Sequence, residues 1–277
     1  MGLESASSIE EFWAGCQHVD WARAHPGVSN LRDQGLLQKT IPLIFHQDGV
    51  ETYKNVEANM FTWASALTRG NTVLSKFLLG FVWEWSMPTK KIRRHVNLEF
   101  CKYINFCLNA LESGRGPAVG FYGENHRPSS NAAKLANQEL CGGYRAVYVG
   151  WKGDQKARKN EHCFKRAWDS TFVCVDCAAC QPFKAGPEAL WFTHVGPDAC
   201  WRTTTITHES YMAVDASSPW CHVRGWHLKS VHRDIAHIMY LGVCRDVIAS
   251  LLMVNARKVR SSHNMGAHVQ KSKGLET

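Results

Sequence analysis

Apolar and polar positions divide the chain into stretches of different period. Residues 1–38 have a helical texture, with Ser8 and Glu11 spaced as a capping box ahead of Phe12 and Trp13, while Pro26-Gly27 and Gly35 break the pattern. The apolar run Ile41 to Phe45, followed by His46-Gln47-Asp48-Gly49, reads as a short buried strand that ends in an acid and a turn. Asn59 to Leu67 and Lys76 to Trp85 are two more strand-like runs rich in aromatic and aliphatic residues, with Arg69-Gly70-Asn71 as the turn between them. Together the three predict a meander. From Thr89 to Ser113 the period becomes 3.6, with Ile92, Val96, Phe100, Ile104, Leu108 and Leu111 on one stripe, Thr89 as N-cap and Gly114 just past the end.

A loop rich in Gly, Pro, Ser and Asn (114–143) leads to Tyr144–Trp151, a fourth strand that closes on Lys152-Gly153-Asp154. A polar, helical stretch then precedes Cys174-Val175-Asp176-Cys177-Ala178-Ala179-Cys180. Residues 181–230 follow no regular period. A last helix is predicted from Asp234, as N-cap, through Leu252, with Ile235, Met239, Val243, Val247 and Leu251 buried. The organisation expected is a helical lead-in (1–38), an α/β core (39–170), an irregular Cys/His-rich insertion (171–230) and a C-terminal helix with a basic tail (231–277).

Composition narrows the class. The 277 residues are 45% apolar, with 11 Trp and 12 Phe, enough for a packed interior. No apolar run approaches the ~18–20 residues that span a bilayer, and the first residues carry acids where a signal peptide is basic. Ala6 stands where a myristoylation pattern needs Ser or Thr. A soluble, intracellular protein without a membrane anchor is expected, so the eleven cysteines read as buried thiols plus a metal site rather than a disulfide framework. Net charge is +8, and residues 222–277 hold nine Lys/Arg against three acids, a skew that suits a polyanionic partner or a solvated tail. The first-turn cations Lys90, Lys91, Arg93 and Arg94 allow the same two readings.

The order strand–strand–strand–helix–strand lets a crossover helix return the fourth strand parallel to the first, which brings Asp48 and Asp154 side by side. Two carboxylates at adjacent strand ends suit a pair of Mg²⁺ ions about 3.5–4 Å apart, one activating water and one stabilising the leaving oxygen of a phosphodiester. Each acid alone also fits a turn residue. Cys174-x-x-Cys177 is half of a tetrahedral zinc site, and His263 with His268 are candidates to complete it; buried or redox-active thiols are the alternative. His237, one turn after Asp234, is a candidate to orient a ligand or meet a phosphate, or a packed helix histidine.

Taken in order, Asp48, Asp154, the Cys174/Cys177 pair and Asp234-x-x-His237, in Val231–Val243, resemble the CACTA and related DDE transposases, whose extended group includes the V(D)J recombinase core. The similarity spans about residues 41–255. The wider texture (DGV, WKGD, CVDCAAC) is similar to transposon-derived proteins of dinoflagellate genomes. The resemblance implies an RNase H-like core, catalytic Asp48 and Asp154 on two Mg²⁺ or Mn²⁺ ions, and structural zinc on Cys174 and Cys177. It also implies cleavage and transfer of DNA strands at transposon ends, association between copies of the chain, and a nuclear location. Ala236 stands where the family usually has Met or Leu. The family's third acid follows on a later helix, and this chain ends nine residues after His268. Asp234 is therefore expected to substitute, or the third acid is lost with a missing C-terminal part and turnover is reduced or absent. Two rivals stand beside this reading: a non-catalytic zinc-stabilised module that binds nucleic acid or protein, and a cysteine enzyme pairing Cys174 or Cys221 with His222 or His237.

Overall fold

The computed structural model describes residues 6–51, 57–68, 75–164, 171–213, 218–233 and 247–253. The chain divides into two units, Met1–His232 and Arg233–Thr277. Three short helices open the first unit: α1 (Ala6–Cys16), α2 (Asp20–Arg23) and α3 (Pro26–Asp33). Then come β1 (Thr40–Glu51), β2 (Glu57–Ser65) and β3 (Phe77–Trp83), the long helix α4 (Lys90–Ser113), the single turn α5 (Asn131–Leu135), β4 (Arg145–Gly153), α6 (Gln155–Glu161), α7 (His208–Met212) and β5 (Val231–Arg233). In the second unit residues 247–253 are helical, with Val247, Ile248, Leu251, Leu252 and Met253 exposed. No helix among the described residues is long and apolar enough to cross a membrane.

The protein is α/β, with a mixed sheet in the order β3-β2-β1-β4-β5. β1, β2 and β3 pair antiparallel, and β4 returns parallel to β1. Period-2 alternation assigns the two faces of β1. Ile41, Leu43 and Phe45 enter one apolar cluster with Cys101, Ile104 and Leu108 of α4, while Ile44 enters the other with Ile9, Trp13, Val28 and Leu31 of α1 and α3. A bulge between Leu43 and Ile44 moves the register against β4 by one residue, so that Trp151, three residues after Tyr148, joins the first cluster beside it, while Val147 and Val149 lie in the second.

Several local expectations change on folding. α1 is already helical at Ala6, so Ser8 lies inside the helix rather than at its N-cap. Pro26 and Gly27 begin a helix rather than end one. Pro26 takes a first-turn position, where no amide is needed, and His25 caps the turn through Nδ1, which accepts from the Gly27 and Val28 amides at 3.1 and 3.2 Å. α4 has Thr89 as N-cap and Gly114 in the left-handed conformation, as its sequence predicts. Its buried positions are Asn97, Cys101, Ile104, Leu108 and Glu112, whereas Ile92 is exposed. The predicted stripe is rotated because two polar residues on this face have inward partners. Asn97 donates to Glu161 at 2.8 Å, and Arg224 forks onto Glu112 at 2.6 and 2.9 Å. The turn 69–71 and the predicted helix from Asp234 to residue 246 lie outside the described residues.

Candidate functional site at the ends of two parallel strands

β1 and β4 are registered as far as His46 against Lys152. Asp48 and Asp154 each follow two residues later, so both acids lie toward the same end of the neighbouring strands; Asp154 follows β4, whereas Asp48 does not close its strand as the sequence suggests but lies within β1, paired with Met60, because the β1–β2 ladder continues to Glu51. Asp48 is half-buried and shares the Ile44 and His46 side of the sheet by alternation. Asp154 is half-buried and begins α6 as its N-cap, with Oδ1 accepting from the Ala157 amide at 2.6 Å. Capping uses one of about four acceptor positions on a carboxylate, so the same side chain retains capacity for a cation.

Basic and imidazole side chains stand on β4, α6 and β5, the elements that adjoin this end. Ile44 pairs with Gly150 and His46 with Lys152. A side chain at Gly150 would meet the His232 ring at 2.7 Å, so β5 lays His232 over the strand on this side. Burial, followed by the charges of Lys152 and Arg158, holds the His232 imidazole below the ordinary histidine range. Arg158 is buried and donates to Asp176 at 2.9 Å. That ion pair ties the Cys174–Cys177 turn to the helix capped by Asp154. Within the turn, the Asp176 amide donates to Cys174 Sγ at 3.4 Å; Cys174 is half-buried and Cys177 buried. An amide aimed at the first sulfur of a CxxC turn fixes that sulfur's position, as an outer hydrogen bond does for a metal ligand.

Among the described residues no group of three His, Cys, Asp and Glu side chains is arranged to hold a metal ion. Asp234, His237, His263 and His268 lie outside the described residues, as would any ligand set that they complete. The cysteine-enzyme alternative loses ground at Cys221, whose thiol burial pushes up to about 11; a thiol so rarely ionised at neutral pH is a poor nucleophile.

A second polar group lies deeper. Glu161 is buried and accepts from Asn97 at 2.8 Å and Trp220 Nε1 at 3.3 Å, while Ser218 Oγ donates to its carbonyl. Burial raises its carboxyl to about 7. The neighbouring His162 is fully buried among Trp151, Trp220, Trp226 and Phe164, and burial holds it neutral, well below its usual range. These groups pack the core behind α6.

Sequence reasoning overlooked Lys152, Arg158 and His232. One signal was available: Arg158 follows Asp154 by four residues, one helical turn. The placement of His232 depends on a long-range strand pairing that no local period announces. Comparison with family models, with curated proteins and with solved structures finds no match for this chain.

Proposed function

We propose that the protein is a transposase-like scaffold for phosphoryl transfer on DNA, built on an RNase H-like core and acting in the nucleus. The observation that carries this reading is the register that sets Asp48 and Asp154 at one end of adjacent parallel strands. The strand order β3-β2-β1-β4-β5, with an antiparallel meander before the parallel return, supports it. So does the placement of α6, which begins at the second acid.

The residues present fit a divalent-cation site in part. Asp48 and Asp154 are hard oxygen donors, and Asp154 is oriented by its cap. Mg²⁺ or Mn²⁺ held there supplies charge for water activation and for the leaving oxygen of a phosphodiester. The chain's own contribution is positioning: β1 and β4 fix the two carboxylates, and the positive Lys152 and the His232 ring flank the end where phosphate charge arrives. Asp234 is proposed as the third acid.

The test is nicking of supercoiled plasmid in Mn²⁺ by the wild type, Asp48→Ala and Asp154→Asn. Asn caps a helix about as well as Asp, so the second variant removes charge without removing the cap. Loss of nicking in both supports the reading. Equal nicking in all three removes it.

The Cys174 turn favours a second reading, a zinc-stabilised module that binds nucleic acid without cutting it. Its amide-to-sulfur bond and buried Cys177 suit a metal knuckle completed by His263 and His268. That reading predicts bound zinc and salt-sensitive DNA affinity with no cleavage.

A further inference from the structure

Two half-buried imidazoles lie face to face at the turn that leads into β5. His208, the first residue of α7, and His227 stack with ring centroids 4.2 Å apart and planes 15° from parallel. Each ring accepts a backbone amide through Nδ1: Leu228 donates to His208 at 3.3 Å and Lys229 to His227 at 3.0 Å. A ring nitrogen that accepts carries no proton, so both rings are neutral with their hydrogen on Nε2. That tautomer leaves neither ring a lone pair for a metal or for general-base work. It leaves sensitivity to acid instead. A further proton can go only to Nδ1, where it faces an N–H and removes the acceptor, and a charge on each ring would set two like charges in contact.

The two amide bonds close one turn. His227 caps Leu228–Ser230, and the Ser230 hydroxyl completes the box by accepting from the His227 amide at 3.2 Å and donating to the His227 carbonyl at 2.7 Å. Ser230 is fully buried, and Val231, which opens β5, belongs to the first apolar cluster. The next residue is His232, whose ring lies over Gly150. The stacked pair therefore holds the entry to the strand. Serine, threonine, asparagine and aspartate are the usual caps and keep their acceptor at mildly acidic pH; Thr207, Thr89 and Asp154 serve α7, α4 and α6 in this way. His25 caps α3 through Nδ1 as well, but it is 3% exposed and its Nε2 is hydrogen-bonded to the Tyr148 carbonyl at 2.7 Å. His208 and His227 stand where solvent reaches them.

We propose that the His208–His227 stack is an acid-sensitive latch: protonation of the pair at Nδ1 opens the turn 227–230 and loosens β5, the strand that lays His232 over β4. The groups facing His227 are His208 and Glu209 from α7 and Lys229 from its own turn, while the Trp226 ring lies 5.7 Å from that of His208. Burial, followed by the charges of His208 and Lys229, holds His227 below the ordinary histidine range, and Glu209 opposes them. The open turn thus takes up the proton before the closed one does. Stability of the closed turn is complete above about pH 6.5 and declines as pH falls below it. Opening requires neither metal nor DNA; only its consequence, a weaker hold on His232 at the acid end, rests on the phosphoryl-transfer reading.

The test is hydrogen exchange of the full chain, read by mass spectrometry over residues 227–233 at about pH 7.5 and about pH 5 and corrected for intrinsic exchange. Wild type is compared with the double variant His208→Asn/His227→Asn, in which each side chain keeps an acceptor oxygen and neither titrates. Wild-type protection is expected to fall by about tenfold to thirtyfold at the lower pH, the effect of one proton taken up near 6.5. Protection in the double variant should stay level. Ring-nitrogen NMR of the wild type needs no variant and should find both imidazoles in the Nε2–H form at about pH 7.5. Constant wild-type protection across this range overturns the latch. An equal loss in the double variant does so too, since the acid response would then belong to other groups, and so does a His227 ring that carries its proton on Nδ1 at about pH 7.5. None of these readouts involves cleavage: a working latch on a protein that never nicks DNA removes the phosphoryl-transfer reading alone, and nicking without acid opening removes the latch alone.

Discussion

Asp154 ends β4, caps α6 and faces the end of β1 at once, so its substitutions separate structure from chemistry. Asp154→Ala loses both the cap and the charge; the cap alone is worth about 1 kcal/mol. Asp154→Asn should therefore unfold in urea close to wild type, and Asp154→Ala at a lower midpoint, with any cleavage activity absent from both. If the two variants were equally stable, the bond to the Ala157 amide would not be a cap in solution. Glu161 makes the opposite case. Its carboxyl stays protonated up to about pH 7 in the fold, against about 4.5 in an unfolded chain, so the native state binds the extra proton between those values. Stability from this group is therefore complete below about pH 4.5 and lost as pH rises through 7, a cost at pH 8 of roughly 3 kcal/mol. Glu161→Gln, which keeps an acceptor for Asn97 or Trp220, is expected to raise stability at pH 8 and change little at pH 4.5. The reverse ordering in denaturant titrations at the two pH values would contradict this. His162 and His232, held neutral by burial, act in the other direction: the unfolded chain binds their protons first, so stability falls as pH drops through about 6.5.

Among the elements, α4 joins the meander to the parallel return, and its polar anchors can be tested. Arg224 grips Glu112, whose side chain is 10% exposed while that of Arg224 is 39% exposed. Removing the arginine strands a nearly buried carboxylate that also faces Asn30 at 3.4 Å. Arg224→Ala is expected to cost about 1–2 kcal/mol, a buried-pair loss discounted for the arginine's exposure. An unchanged unfolding midpoint would mean that the pair is solvated. The same helix shows what local sequence conveys. Thr89 and Gly114 mark its ends because caps answer to backbone chemistry within a few residues. Its inner face was legible only in part, through Ile104 and Leu108. Asn97 and Glu112 are inward because of Glu161 and Arg224, 64 and 112 residues away, and Ile92 is left exposed. The strands were legible through their apolar runs. The bulge at Val149 was not, since an inserted residue in one strand has meaning only against its partner.

For the molecule as a whole, the sequence order of the elements anticipates the parallel pairing of β1 and β4, and with it two acids toward the same end of the sheet, because crossover connections leave few other topologies. The proposed zinc ligands and third acid are less legible: CxxC specifies at most half a site, and a complement would come from sequence-distant residues. The Arg158–Asp176 pair ties the Cys174 turn to α6, so zinc held as proposed at that turn would brace the acid end. Purified protein should carry about one zinc per chain, and Cys177→Ser should lose it together with several degrees of thermal stability. Metal analysis that finds no zinc would assign these cysteines to the core as plain thiols.

The central claim, that Asp48 and Asp154 form one divalent-cation site, is tested most directly by Mn²⁺ binding followed by electron paramagnetic resonance. Wild type, Asp48→Asn, Asp154→Asn and the double variant complete the cycle. If both carboxylates hold the same ion, each single substitution removes nearly all of the binding that the double variant removes, a strongly non-additive cycle. Binding that survives both substitutions, or two losses that simply add, would contradict the shared site.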